Sequence, residues 1–253
     1  MFGLEVSAGV ARLALTRAPV NAISEAWLEA FHRLLDGLAA RDDWRLLHIR
    51  SDQKAFCAGA DLAEMRARLA APDGVSAMVG VAAAMQGLFA RLEALPQVTF
   101  AEIGGAALGG GFELALACDL RIAAREAKVG LPEARLGLVP GAGGTQRLTR
   151  LAGHALASRL ILSAETLDGA TAETLGLVQW TVPRAELAQR AAAIAAQIAA
   201  LPGEALRACK SCIAAAGDPA RDGYAEELEQ SRRLYASETT RQRVEAFLAG
   251  EIR

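Results

Sequence analysis

The sequence predicts an α/β protein ending in an all-helical region, and three observations predict it. Strand-like and helix-like patterns alternate from the N-terminus to about Thr181. Beyond that point strand signals vanish, and alanine-rich helical periodicity runs on to Arg253. A composition of 53% hydrophobic and 22% charged residues over 253 positions supports a substantial buried core and excludes disorder. Alternation of this kind belongs to the α/β class.

The elements follow in order. "MFGLEVSAGVARLALTR" alternates as a strand, most clearly over residues 9–17. "SEAWLEAFHRLLDGLAAR" is an amphipathic helix with Ser24 as its N-cap, and "WRLLHIRS" is the next strand. Next come a helix at "DLAEMRARLA", a strand at "QVTFAEIGG", a buried helix at "FELALAC", short strands in "LRIAAREAKVG" and a helix at "TQRLTRLAG". "ELAQRAAAIAAQIAAL" opens the helical tail. Its small apolar faces have no strands of their own left to cover, so another surface is expected to bury them.

Charge and targeting signals narrow the partners. A formal net charge of −2 gives no general attraction to nucleic acid or to acidic membranes. The N-terminus lacks the basic start and apolar run of a signal peptide, so a cytoplasmic protein is expected. The longest uncharged stretch, residues 74–90, is interrupted by Gly80, Gln86 and Gly87 and reads as short of a membrane span. Cys57, Cys118, Cys209 and Cys212 do not form a secreted disulfide framework. The "CKSC" pair lies in a helix-like run without a second pair, which reads as packing and predicts no metal or redox site. His32, His48 and His154 form no ligand or triad pattern.

Familiar nucleotide and nucleophile motifs are missing: no G-x-G-x-x-G, no G-K-[ST] and no G-x-S-x-G occurs. What stands out is "ALGGGFELALACD", three consecutive glycines between apolar segments and directly before Glu113. Glycine in an ordered turn allows positive φ and removes the Cβ, so that a ligand or another chain segment can touch the main chain. With "KAFCAGADL" before it and "VGLPEARLGLVPGAGGTQRL" after it, this stretch closely resembles the crotonase family, the enoyl-CoA hydratase/isomerase superfamily. "PVNAIS" and "AETLGLV" extend the likeness over nearly the whole chain.

The resemblance implies a crotonase-like ββα spiral core over residues 1–195, with residues 196–253 forming a helical trimerisation region. It implies an enoyl-CoA hydratase of acyl-CoA degradation with CoA carried as part of the substrate thioester, no separate cofactor, and assembly as a homotrimer or a dimer of trimers. Two backbone N–H groups that hold the thioester oxygen map to Ala58 and Gly110. Any Cβ at Gly110 is expected to crowd the thioester. Glu113 and Glu133 correspond to the two carboxylates that flank a water; Glu113 is expected to act as base and Glu133 as the proton donor to C2. Gly59, Ala60, Asp61, Leu62, Met65, Gly110 and Gly141 are the further expected substrate contacts. Asp61 has a second reading, since "DLAE" fits a capping box with Glu64. Leu62 and Met65 read equally as core residues or as walls of the acyl slot. Lys54, Arg66 and Arg68 read as surface charges or as contacts to CoA phosphates, and Phe247 as part of a neighbouring chain's CoA site. An isomerase of the same fold manages with one acid, so two glutamates favour hydration. A non-catalytic RNA-binding or scaffolding member is disfavoured by the lack of a basic, aromatic-rich stripe. With no dinucleotide-binding region in the sequence, a stand-alone hydratase is expected in place of half of a fused β-oxidation enzyme.

Overall fold

The chain opens with two strands where the sequence reads as one. Ala8 and Gly9 take positive φ (49° and 78°), and this tight turn separates β1 (Phe2–Ser7) from β2 (Gly9–Leu15). The two pair antiparallel, with Ser7 opposite Val10. The computed structural model describes residues 1–251.

Helix α1 (Glu25–Ala39) starts as the sequence predicts, with Ser24 accepting the Trp27 N–H at 3.2 Å. β3 (Trp44–Ser51), α2 (Leu62–Leu69), α3 (Gly74–Glu93), β4 (Val98–Ile103), β5 (Ala107–Leu108) and α4 (Gly110–Leu116) follow. Then come β6 (Leu120–Ala124), β7 (Lys128–Gly130), α5 (Gly144–Leu162), β8 (Thr166–Asp168), α6 (Gly169–Thr174) and β9 (Trp180–Val182). The chain continues through α7 (Leu187–Ala199), α8 (Gly203–Ala216), α9 (Gly223–Tyr235) and α10 (Glu238–Leu248). Helix α5 breaks at Gly153, whose φ of 77° no helix tolerates, so the predicted helix over 145–153 is its first segment.

A six-stranded sheet runs in the order β1-β2-β3-β4-β6-β9, parallel from β2 onward. Parallel strands are covered on both faces and so read as continuous apolar runs. β4 illustrates this, being buried at every position. Trp27, Phe31, Trp44, Phe56, Phe89, Phe100 and Phe112 fill the core. His48 also packs there, its Nε2 2.8 Å from Glu102 Oε2.

A second, three-stranded sheet, β5-β7-β8, carries the glycine and glutamate motifs. β5 and β7 pair in parallel, Ala107 with Val129 and Leu108 with Gly130. That pairing sets the segment after β5, which begins at Gly109, beside the segment after β7, which leads to Glu133. An isolated bridge joins Cys57 to Ala107, so residues 57–60 lie along the other side of β5.

Two expectations need correction. Residues 74–93 are one unbroken helix, α3, long and apolar enough by length and composition to cross a membrane. Gly80, Gln86 and Gly87 do not interrupt it. Its C-terminal half buries Met85, Leu88, Phe89 and Leu92 in the common core, while Val75 and Val79 nearer its start are exposed. The boundary expected at residue 195 falls inside α7, which buries Leu187, Ala191, Ile194, Ala195 and Ala199. The core therefore extends through α7, and the helical appendage is α8–α10. Lys210 of α8 ties the appendage down, its Nζ 2.7 Å from Asp119 Oδ2 and 3.0 Å from the Gln97 carbonyl. Cys209 and Cys212 lie one turn apart on the same helix.

Candidate active site

Each of the three glycines is demanded by a different neighbour. Gly109 has φ 53°, and a Cβ on it would lie 3.0 Å from Glu133 Oε1. A Cβ on Gly110 would lie 2.7 Å from Met85 Cε and 3.4 Å from Ile23 Cδ1. The side chains it would meet first are thus apolar ones from α3 and from the segment before α1. A Cβ on Gly111 would sit 2.0 Å from the Cys57 carbonyl oxygen, which backbone cannot yield. Gly59 completes the contact: it has φ 92°, and a Cβ there would lie 3.1 Å from the Gly110 nitrogen. Residues 57–60 and 109–111 therefore touch backbone to backbone.

This contact decides which N–H groups are free. The Ala58 N–H, expected to face the thioester oxygen, instead donates to the Val20 carbonyl at 3.0 Å. Residues 59–61 form a parallel bridge with Ile23: the Ile23 N–H donates to Gly59 O at 2.8 Å and the Asp61 N–H donates to Ile23 O at 2.9 Å. In such a bridge the intervening residue turns its own N–H away. Ala60 is that residue. The Ala60 and Gly110 N–H groups have no acceptor among the described residues. The pair available to an oxyanion is therefore Ala60 with Gly110. Ala60 was expected only as a substrate contact; the strand alternation that assigns it depends on the partner segment 20–23, which the motif does not reveal.

Glu113 is buried in α4, and its Oε1 accepts the N–H groups of Ala142 (2.8 Å) and Gly144 (2.7 Å) at the start of α5. Gly144 is glycine because a Cβ would lie 2.8 Å from that same Oε1. Burial is the largest influence on Glu113 and pushes its pKa up to about 7. The two N–H bonds and Arg147 oppose the rise, while Glu133 adds to it. Glu133 heads a short 3-10 turn, Glu133–Leu136, after Pro132. Burial raises its pKa too, and its Oε2 has no partner among the described residues. A buried acceptor left without a donor costs about 1–3 kcal/mol. Two acids of raised pKa thus lie close enough for the charge of Glu133 to act on Glu113: Glu113 is pinned by N–H donors, and Glu133 has an open oxygen and lies against Gly109.

The remaining predicted residues divide. Asp61 caps α2, its Oδ1 accepting the N–H groups of Ala63 and Glu64 at 3.0 and 3.2 Å. The reciprocal half of the capping box is missing, because Glu64 Oε2 accepts the Glu25 N–H instead. Leu62 is exposed, Met65 is half-buried, and α2 buries no side chain. Arg68 pairs with Glu25, while Lys54 and Arg66 are exposed. The Gly141 carbonyl accepts from Gln86 Nε2 of α3 at 2.6 Å. Asn21 carried no expected role, yet it is fully buried at φ 54° and its Nδ2 donates to the Phe56 carbonyl at 2.9 Å. A lone amide inside the apolar "PVNAI" is the signal that marks it.

A cleft of about 950 Å³ lies between α3, α5 and α8, and neither Glu113 nor Glu133 lines it. Arg121, Arg147 and Lys210 in it are already bonded to carbonyls or carboxylates of the chain. The convergent polar groups, and not the cleft volume, locate the chemistry.

A pKa raised by folding has a sign that can be measured. Between about pH 4.5 and 7 the folded Glu113 holds a proton that the unfolded chain has released, so its contribution to stability declines as pH rises through that window. Glu113→Gln keeps an acceptor for both N–H groups and never ionises. It is expected to match the wild type at pH 4.5 and to exceed it at pH 8, by up to about 3 kcal/mol, which thermal denaturation reads as several degrees. A difference that does not change with pH contradicts the raised pKa.

Comparison with known proteins agrees with the fold. Residues 5–249 match the family described as enoyl-CoA hydratase/isomerase. A Bacillus subtilis protein named "Probable enoyl-CoA hydratase" is 37% identical over 247 residues, 97% of this chain and 94% of that protein. Mouse mitochondrial methylglutaconyl-CoA hydratase is 44% identical over 177 residues, 69% of this chain and 54% of that protein. The crystal structure of enoyl-CoA hydratase from Bacillus anthracis superposes with a TM-score of 0.91 at 33% identity, covering 98% of this chain and 96% of that one. Pseudomonas aeruginosa DspI superposes with a TM-score of 0.90 at 36% identity, covering 98% and 94%. The chain belongs to the enoyl-CoA hydratase/isomerase family.

Proposed function

We propose that the protein hydrates trans-2-enoyl-CoA thioesters to 3-hydroxyacyl-CoA. The observation that carries this reading is the pairing of two carboxylates of raised pKa with two unpaired backbone N–H groups. The thioester oxygen accepts from Ala60 and Gly110. Glu113, oriented by Ala142 and Gly144, takes a proton from water as its oxygen attacks C3. The π electrons pass to the thioester oxygen, and the N–H pair stabilises the resulting enolate-like charge. Glu133 then delivers its proton to C2, and exchange with solvent returns the proton held by Glu113 to Glu133. Two N–H donors favour the ionised form of Glu113, while Glu133 has no such support at Oε2. That asymmetry favours Glu113 as base and Glu133 as acid. Isomerisation needs only one proton shuttle, so the retention of both acids favours hydration.

The acyl chain of this reading is uncharged. Met85 and Ile23 press on Gly110, and Ala82 lies nearest Gly141. These apolar neighbours suit a plain enoyl chain. The assay follows loss of the enoyl-thioester absorbance. Crotonyl- or hexenoyl-CoA is expected to turn over faster than methylglutaconyl-CoA. Glu113→Gln and Glu133→Gln should each lower kcat by roughly 10²-fold with little change in CoA affinity. Wild-type kcat should fall as pH drops below about 7, where Glu113 becomes protonated. Near-wild-type turnover by either variant overturns the paired-carboxylate mechanism.

The proposed working unit is a homotrimer or a dimer of trimers. Helices α9 and α10 bury no side chain of their own, and Tyr224, Leu228, Tyr235, Phe247 and Leu248 stand exposed on them. Apolar faces of this extent need a partner surface. Light scattering at micromolar concentration is expected to give three or six times the chain mass, and a monomer refutes the assembly.

A further inference from the structure

We propose that Arg17 is a positioning residue for the thioester-oxygen site, holding the Ala60 N–H in line with that of Gly110. This role rests on the hydratase reading above. Arg17 Nη2 lies 2.7 Å from Asp61 Oδ2, and Nη1 donates to the Ala22 carbonyl. One guanidinium thus spans the segment before α1 and the residue after Ala60. The ring closes through the Asp61 N–H, bonded to the Ile23 carbonyl at 2.9 Å.

The need for such a clamp comes from α2. That helix follows Ala60 directly and buries no side chain fully, Met65 being its only half-buried apolar residue, so apolar packing holds it weakly. Three polar contacts tie it to the segments before and at the start of α1: Arg17 with Asp61, Glu64 with the Glu25 N–H, and Arg68 with Glu25. Among these, only the Arg17 pair reaches the residue adjoining the free donor. Both partners are mostly shielded, with side-chain exposures of 27% and 16%, so solvent screens them less than a surface pair. The Arg17 guanidinium also holds the Asp61 carboxyl below the usual range. An oxyanion donor must sit within a few tenths of an ångström of its place, and a misplacement of about 1 Å costs on the order of 10²-fold in rate. Lysine cannot replace this arginine, since a single ammonium lacks the fork that reaches two acceptors.

The test compares wild type with Arg17→Met, Arg17→Lys and Asp61→Asn. Asparagine caps a helix as well as aspartate does, so Asp61→Asn removes the ion pair while keeping the cap. Two readouts are taken: hydration of hexenoyl-CoA, and the infrared frequency of the labelled thioester carbonyl in bound hexanoyl-CoA, an unreactive probe. Arg17→Met and Asp61→Asn are each expected to lower kcat about tenfold with KM changed less than about threefold. Both should raise the carbonyl frequency toward that of free hexanoyl-CoA. The double variant should be no worse than either single one, and Arg17→Lys should rescue only in part. A role confined to stability would move the melting temperature and leave the carbonyl frequency alone. Wild-type kcat and wild-type carbonyl frequency in Asp61→Asn, or in folded Arg17→Met, overturn this role and leave the proposed function standing. A wild-type protein that hydrates no enoyl-CoA overturns both.

Discussion

The site depends on one constraint, the direct approach of two backbone segments, residues 57–60 and 109–111. Side chains at Gly59 or Gly111 would force them apart by colliding with Gly110 or with Cys57. Because they touch, the Ala60 and Gly110 N–H groups remain near one another without bonding each other. Because β5 pairs with β7, the turn that follows β5 also receives Glu133. The groups proposed to act on the substrate come from distant parts of the chain, and main-chain pairing, more than side-chain packing, places them.

Electrostatics builds on that geometry. Glu113 is buried deeply enough to resist ionisation, yet two N–H groups at the start of α5 keep its ionised form accessible and fix its direction. The result is an acid that titrates near neutrality, where a proton acceptor works best. Arg147 supports the same arrangement from behind: it is buried, it donates to the Ala142 carbonyl, and it pairs with Glu93 of α3. Helix α3 thus braces the loop that orients Glu113, besides pressing Met85 against Gly110.

Much of this was legible in the sequence. The alternation of β3, β4 and their helices and the Ser24 cap follow from local chemistry, whereas Glu113 and Glu133 were marked by the resemblance to the crotonase family. What escaped depends on partners far away in the chain. Ala58 and Ala60 are equivalent in the motif, and only the bridge to Ile23 shows that Ala58 is occupied and Ala60 is not. The glutamate of the apparent capping box turns to α1 because α1 offers an N–H within reach. Residues 74–90 lack the polar face of a surface helix and so hide their periodicity, since the C-terminal half of α3 is buried while its N-terminal half is exposed yet made of small and apolar residues. The helical tail was read from its first helix, α7, but the boundary at residue 195 was not legible, because the alanine-rich pattern of α7 does not show that it packs on the sheet as part of the core.

The central claim is that Ala60 and Gly110 hold the thioester oxygen while Glu113 and Glu133 face the reacting carbons. A crystal structure with an unreactive acyl-CoA tests it most directly. The account predicts the thioester oxygen about 3 Å from both the Ala60 and Gly110 nitrogens, with both carboxylates toward C2 and C3 of the acyl chain. A thioester oxygen held elsewhere, with the Ala60 N–H still unbonded or the acyl chain turned away from the two glutamates, would contradict it.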